Sequence, residues 1–178
     1  MNKDFQRLTF IDALWNFFSG LVAPFLVIYF NGFGGLNEVG ISVALRYGIQ
    51  GIVPLIFSRF MKKRKSNMKV WFLIGQIFES LRVMLFIFAS SINDIYIIQL
   101  LGGVTYSFIS PAYTKIFVKT GDDEDDDAFR VRSGVINLII GISALLSGFI
   151  INYFGFVPVF VAWSVIELIY GLYIYFLV

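Results

Sequence analysis

Six apolar stretches follow one another along this chain, each about the 20 residues needed to cross roughly 30 Å of hydrocarbon. They run near residues 13–30, 39–58, 70–90, 95–117, 133–153 and 158–178, with short polar breaks between most of them. A backbone inside hydrocarbon must satisfy its own amides, which leaves helices or closed barrels, and stretches of this length fit helices. The expected fold is an all-α membrane protein, one bundle of six transmembrane helices spanning residues 1–178. Composition agrees: 58% hydrophobic residues, 19% aromatic and a mean hydropathy of +0.79 are more than a soluble domain of this length hides. The first stretch has spanning length and no small-residue cleavage site after it, so it reads as a retained helix.

Charge distribution supplies a topology. Lys3, Arg7, Arg59, Lys62, Lys63, Arg64, Lys65, Lys69, Lys115, Lys119, Arg130 and Arg132 all fall on one side of the bundle, and the opposite loops hold only Glu38 and Asp94. The positive-inside bias makes the basic side cytoplasmic, which places both termini inside and the protein in the plasma membrane. Membrane lipid is then its first partner, and the KKRK run adds attraction to anionic headgroups. With no cysteine and no histidine, thiolate and imidazole chemistry is excluded. No nucleophile or phosphate-cradling glycine loop stands at workable spacing. An enzyme is not expected, nor a cofactor, a metal site or a nucleic-acid partner. The acidic run Asp122 to Asp127 lacks the alternating ligands and central glycine of a calcium loop. It reads as a solvated cytoplasmic loop able to approach the KKRK segment.

Against this apolar background a few polar side chains stand out. Counting about 1.5 Å per residue from each span's edge puts Arg46, Glu79, Arg82 and Glu167 near mid-depth or toward the outer leaflet. A charge there costs at least about 2.5–3.5 kcal/mol, so it faces a partner or a wet cavity. Glu79 and Arg82, three residues apart, can pair on their own helix. The plainest reading is an ion-pair cluster locking spans 2, 3 and 6; the functional one is a solute or coupling pathway. Asp12, Asn16 and Ser19 recur on about one face of span 1, and Gln99, Tyr106, Ser110, Tyr113 and Thr114 punctuate span 4. Asp12 reads as a helix cap or interface anchor or, with Glu79 and Glu167, as a carboxylate able to exchange a proton. Trp15 and Trp163 read as packing or interface residues.

Two further patterns bear on assembly. Pro24 is followed six residues later by Phe30, and Pro111 by Phe117. If spans 1–3 are repeated as spans 4–6, the odd number of crossings makes them two inverted three-helix repeats. In span 5, Gly134, Gly141 and Gly148 recur every seven residues, with Asn137 and Ala144 between them; in span 2, Gly40, Ala44, Gly48 and Gly51 do likewise. Such small stripes mark where another helix lies close, within the six-helix unit or in a second one. Asn137 also counts among the pathway candidates.

Together these motifs resemble the major facilitator superfamily, and the resemblance covers the chain as one six-helix half of that family's usual twelve. Arg59, Lys62, Lys63 and Arg64 match the basic positions of its loop motif Gly-x-x-x-Asp-Arg-x-Gly-Arg-Arg, with Pro54, Ser58 and Met61 where glycine, aspartate and glycine are usual. QLLGGVT in span 4 is similar to Arg-x-x-Gln-Gly-x-Gly, with Gln99 in the arginine place and Gly103 retained. In span 5, Ser143, Ala144, Ser147 and Gly148 match small positions of an exporter motif whose proline is absent, and Phe154-Gly155-Phe156 sits like a Phe-Gly-Trp turn. The resemblance implies an alternating-access transporter in which two six-helix bundles rock around a midplane site. It implies that helices 1 and 4 line the pathway, that helices 2 and 5 meet the other half, and that helices 3 and 6 are peripheral. Arg46, on a cavity-bordering helix, is then the best placed to meet an anionic substrate or a coupling carboxylate.

The expected function is a transporter of a small solute, proton-coupled or facilitative, acting as a homodimer of parallel six-helix protomers. Two other readings stand beside it: half of a longer twelve-helix protein, suggested by the ending LYIYFLV without a polar tail, and a membrane scaffold that does not transport.

Overall fold

The structure is a computed structural model and describes residues 2–61, 67–121 and 124–177, with side chains omitted for 57–61. It contains six helices: α1 (Lys3–Gly34), α2 (Leu36–Met61), α3 (Met68–Phe88), α4 (Ile92–Thr120), α5 (Asp126–Phe154) and α6 (Phe156–Leu177). All six are long and apolar enough to cross a membrane, and no strand occurs among the described residues. The shortest, α3 with 21 residues, is about 32 Å long at the usual helical rise.

Most helices begin earlier or end later than the apolar stretches. α1 gains a turn-rich amphipathic start, in which Phe5, Leu8 and Ile11 are buried while Lys3, Asp4 and Arg7 stay exposed. Among the described residues only the third stretch overshoots its helix, by Ala89 and Ser90. Helix starts are fixed by side-chain caps: Asn2 Oδ1 accepts from Phe5 N at 2.8 Å and Asp125 Oδ1 from Ala128 N at 2.8 Å. Ser91 and Asp94 form a reciprocal capping box on α4. Gly35 and Gly155 make the one-residue joints α1–α2 and α5–α6, with φ of 89° and 74°, values a side chain would oppose.

α3 and α6 pack along each other; α1 lies against α5 and α6, and α4 against α2 and α3. Close approach comes from glycines inside the unit. A Cβ on Gly103 would lie 2.6 Å from Ile49 Cβ, and one on Gly20 would fall on Ser143 Oγ. The stripes on α2 and α5 are not used this way. Gly40, Gly48, Gly51, Gly134 and Gly141 have no neighbour within 4 Å of where a Cβ would stand, and Ala44 and Ala144 are exposed. Gly148 alone approaches a side chain, Phe25, at 3.5 Å. α2 and α5 do not touch each other among the described residues. α5 buries only Ala128, Ser143 and Ser147.

The core is split into two apolar clusters. One gathers Leu21, Val22, Phe30, Phe86, Phe160 and Trp163; the other gathers Leu8, Ile11, Phe72, Ala112, Tyr170 and Ile174 toward the basic end. The intramembrane charges lie between them.

Candidate functional site

A cavity of about 580 Å³ opens in this middle layer, and all six helices contribute to its wall. α1 supplies Asp12, Asn16, Ser19 and Ala23, whose spacing of three to four residues puts them on one helical face. α4 supplies Tyr106, Ser110, Tyr113 and Thr114, and α2 and α5 reach it through Arg46, Arg132 and Ile136. Aromatic and apolar groups complete it, with the Trp15 and Tyr170 rings stacked at 5.6 Å between centroids.

Glu79 anchors one side of the layer. Its Oε2 accepts from Arg82 Nε at 2.9 Å and its Oε1 from Arg82 Nη2 at 2.5 Å. Thr105 Oγ1 on α4 donates to the same carboxylate, and Arg46 Nη2 stands 3.8 Å away on the cavity side. The Arg82 guanidinium also lies over the Phe86 and Trp163 rings, at 5.2 and 5.8 Å, an arrangement that favours a desolvated cation. The expected lock of spans 2, 3 and 6 is therefore corrected: the ion pairs join α2 and α3, with a hydrogen bond from α4, and Glu167 on α6 is not among them. Family-like peripherality of α3 and α6 is also not what the wall shows, since Glu79, Gln76 and Glu167 line the cavity.

Asp12 anchors the other side. It is 2% exposed, ten residues into α1, so it is neither a cap nor an interface anchor. Tyr113 OH and Tyr170 OH donate to its two oxygens at 2.6 Å each, and Arg132 Nη2 pairs with it. One carboxylate thereby ties α1 to α4, α5 and α6. Arg132 also covers the Phe117 ring at 4.6 Å.

Glu167 differs from both. Its Oε1 accepts from Trp163 Nε1 at 2.8 Å, while its buried Oε2 has no hydrogen-bond partner among the described residues. The Trp15 indole lies close to this carboxylate but outside hydrogen-bond geometry. Gln76 Oε1 and Arg132 Nε are likewise buried without a partner, and all three residues line the cavity. Buried polar atoms are nearly always paired, and these three, in residues that line the cavity, are left without a partner among the described residues.

Of the residues singled out from sequence as pathway candidates, the cavity collects Asp12, Asn16, Arg46, Glu79, Tyr106 and Glu167. Arg82 sits behind Glu79, outside the wall. Gln99 is buried elsewhere, its Oε1 unpartnered among the described residues. Asn137 is exposed on the outer face of α5, so it belongs with the small stripe and not with the cavity. Trp15 and Trp163, read as packing residues, line the cavity instead. Lys62, Lys63 and Arg64 lie outside the described residues, and Arg59 falls in the last turns of α2. Sequence reasoning missed Gln76, Arg132 and Tyr170 as site residues. A helical-spacing signal existed for two of them: Gln76 is three residues before Glu79 and Tyr170 three after Glu167. Arg132 had none, because it sits among the basic residues that set topology.

The chain matches no protein-family model, and no curated protein or solved structure matches it significantly. The reading of the site rests on its own residues.

Proposed function

We propose that this chain is a transporter subunit of major-facilitator type, which moves a small solute by alternating access and completes its route by pairing with a second six-helix unit. The observation that carries this reading is the cavity itself: six helices converge polar and charged groups on a space of about 580 Å³ in the middle of an apolar bundle. Charged groups at that depth are costly and mark pathways. The wall mixes three carboxylates, Asp12, Glu79 and Glu167, with Arg46 and Arg132, which suits a polar solute.

Two inverted repeats fit the main helix contacts, while the smaller α1–α2 and α5–α6 contacts have no counterpart in α4–α5 and α2–α3 among the described residues. Exchanging α1 with α4, α2 with α5 and α3 with α6 turns the pair α1–α5 into α4–α2 and α1–α6 into α4–α3, and all four pairs pack. The α3–α6 pair maps onto itself, and there Ser80 and Ser164 hydrogen-bond to each other's carbonyls at 2.8 and 3.0 Å. Pro24 and Pro111 fall inside α1 and α4. The second unit in this reading is another copy in parallel orientation, related by a two-fold axis along the membrane normal. The unpartnered small faces of α2 and α5 support it, and Asn137 adds a polar group that lipid serves poorly. Glu167 is the position assigned to proton coupling, because it alone of the three carboxylates has no ion pair among the described residues.

The test is uptake into vesicles containing only this protein, across a panel of small polar solutes, with and without a proton gradient. Saturable uptake abolished by Arg46→Ala supports the proposal. Sealed vesicles that hold folded protein and take up none of the panel contradict it and favour a scaffold role.

A further inference from the structure

A second recess lies away from the mid-bundle cavity, at the basic end, where the start of α1, the start of α3 and the end of α4 meet around about 680 Å³. Lys3, Arg7, Lys69, Lys115 and Lys119 line it, and Asp4 is the sole acidic residue that does. Asp4 is taken up by Arg7, 3.3 Å away. Among the described residues no carboxylate pairs with Lys3, Lys69, Lys115 or Lys119. Four ammonium groups therefore converge on one recess without an ion pair to a carboxylate among the described residues.

Local electrostatics oppose part of this placement, although Lys119 in the last turn of α4 is favoured by the helix dipole. Lys115 and Lys119 are four apart on α4, where like charges repel. Lys3 and Lys69 stand in the first turns of α1 and α3, the helix ends that already carry partial positive charge. Of the carboxylates described at this end of the bundle, Asp125 caps α5 and Asp127 pairs with Arg130, while Glu124 accepts from the Asn2 amide at the rim of the recess. The positive-inside bias accounts for basic residues on this side. It does not account for five of them around one concavity in which Asp4 is the one acid among the described lining residues. Local rules broken together at one place point to a ligand.

We propose that this recess is an anion site that takes a phosphate group. Lysine ammonium groups bind phosphate as point charges, and basic pockets between helices at a membrane surface hold phosphorylated headgroups. The volume leaves room for the glycerol or sugar that carries the phosphate. The same chemistry could arrive as the headgroup of an anionic phospholipid or as a free phosphate, and the experiment separates them.

Thermal unfolding of the detergent-purified full chain is followed while titrating inorganic phosphate, short-chain phosphatidic acid or short-chain phosphatidylcholine, with chloride at matched ionic strength as reference. The proposal predicts saturable stabilisation by phosphate, phosphatidic acid or both. Phosphatidic acid alone identifies a lipid headgroup, and phosphate on its own a soluble ligand. Lys115→Gln/Lys119→Gln is expected to weaken the apparent affinity at least five-fold, and Lys69→Gln serves if that variant does not fold. Arg130→Gln, exposed at the same end and outside the recess, is expected to change nothing. Stabilisation no greater than that by chloride, or undiminished in the recess variants, overturns the proposal.

Discussion

Arg82 is 2% exposed and holds Glu79 through two hydrogen bonds, so each charge justifies the other. Removing one partner of such a pair leaves the other buried and uncompensated, at a cost of about 3–5 kcal/mol. Arg82→Met is expected to destabilise by up to that amount in thermal or denaturant unfolding, since Arg46 remains 3.8 Å from Glu79, and the double variant Glu79→Gln/Arg82→Met to recover part of it. Equal destabilisation by single and double variants would show that the guanidinium matters through its stacking on Phe86 and Trp163 alone. At Asp12, Tyr170→Phe removes one hydrogen bond to a charged group, expected to cost about 1.5–3 kcal/mol, whereas Arg132→Gln costs more because the ion pair is lost with it. Glu167→Gln keeps the acceptor used by Trp163 and breaks no ion pair. Its expected outcome is unchanged unfolding with loss of the proton-gradient dependence of uptake; retained dependence moves coupling to another group.

At the scale of helices, glycines fall into two sets that behave differently. Gly103 lies where α4 meets α2, and a Cβ there would also stand 2.8 Å from Arg46 O; Gly103→Leu is expected to destabilise the protomer by at least about 1–3 kcal/mol through overpacking. Gly141 meets nothing, so Gly141→Leu should leave protomer stability unchanged and weaken self-association, read as native mass in detergent or lipid. The six helices were legible because each needs a long apolar run. Helix starts were not, since Lys3, Asp4 and Arg7 interrupt the hydropathy of α1 while Phe5, Leu8 and Ile11 still bury one face. The small stripes were legible as stripes, but sequence left open whether they served the unit or a neighbour. Only the packing of α1 on α5 and α4 on α2 shows that these faces are left over.

For the whole molecule, the layered plan of two apolar clusters with a polar floor between them follows from mid-depth charges that sequence counting located. The pairing of Glu79 with Arg82 was legible from their spacing, but which of the other charges meet was not. Asp12 and Arg132 are 120 residues apart and join only because α5 returns against α1, and Gln99 and Asn137 resemble the other candidates in sequence yet face away from the cavity. The central claim is that the outward faces of α2 and α5 meet a twin and close the solute route. The native chain has no cysteine, so single Gly48→Cys and Gly141→Cys variants can be crosslinked in the bilayer against Phe88→Cys, an exposed position on α3. The account predicts strong dimer crosslinks at Gly48 and Gly141, none at Phe88, and arrest of uptake once the crosslink forms. Equal labelling of all three positions by lipid-phase probes, with no crosslink at either glycine, would contradict it.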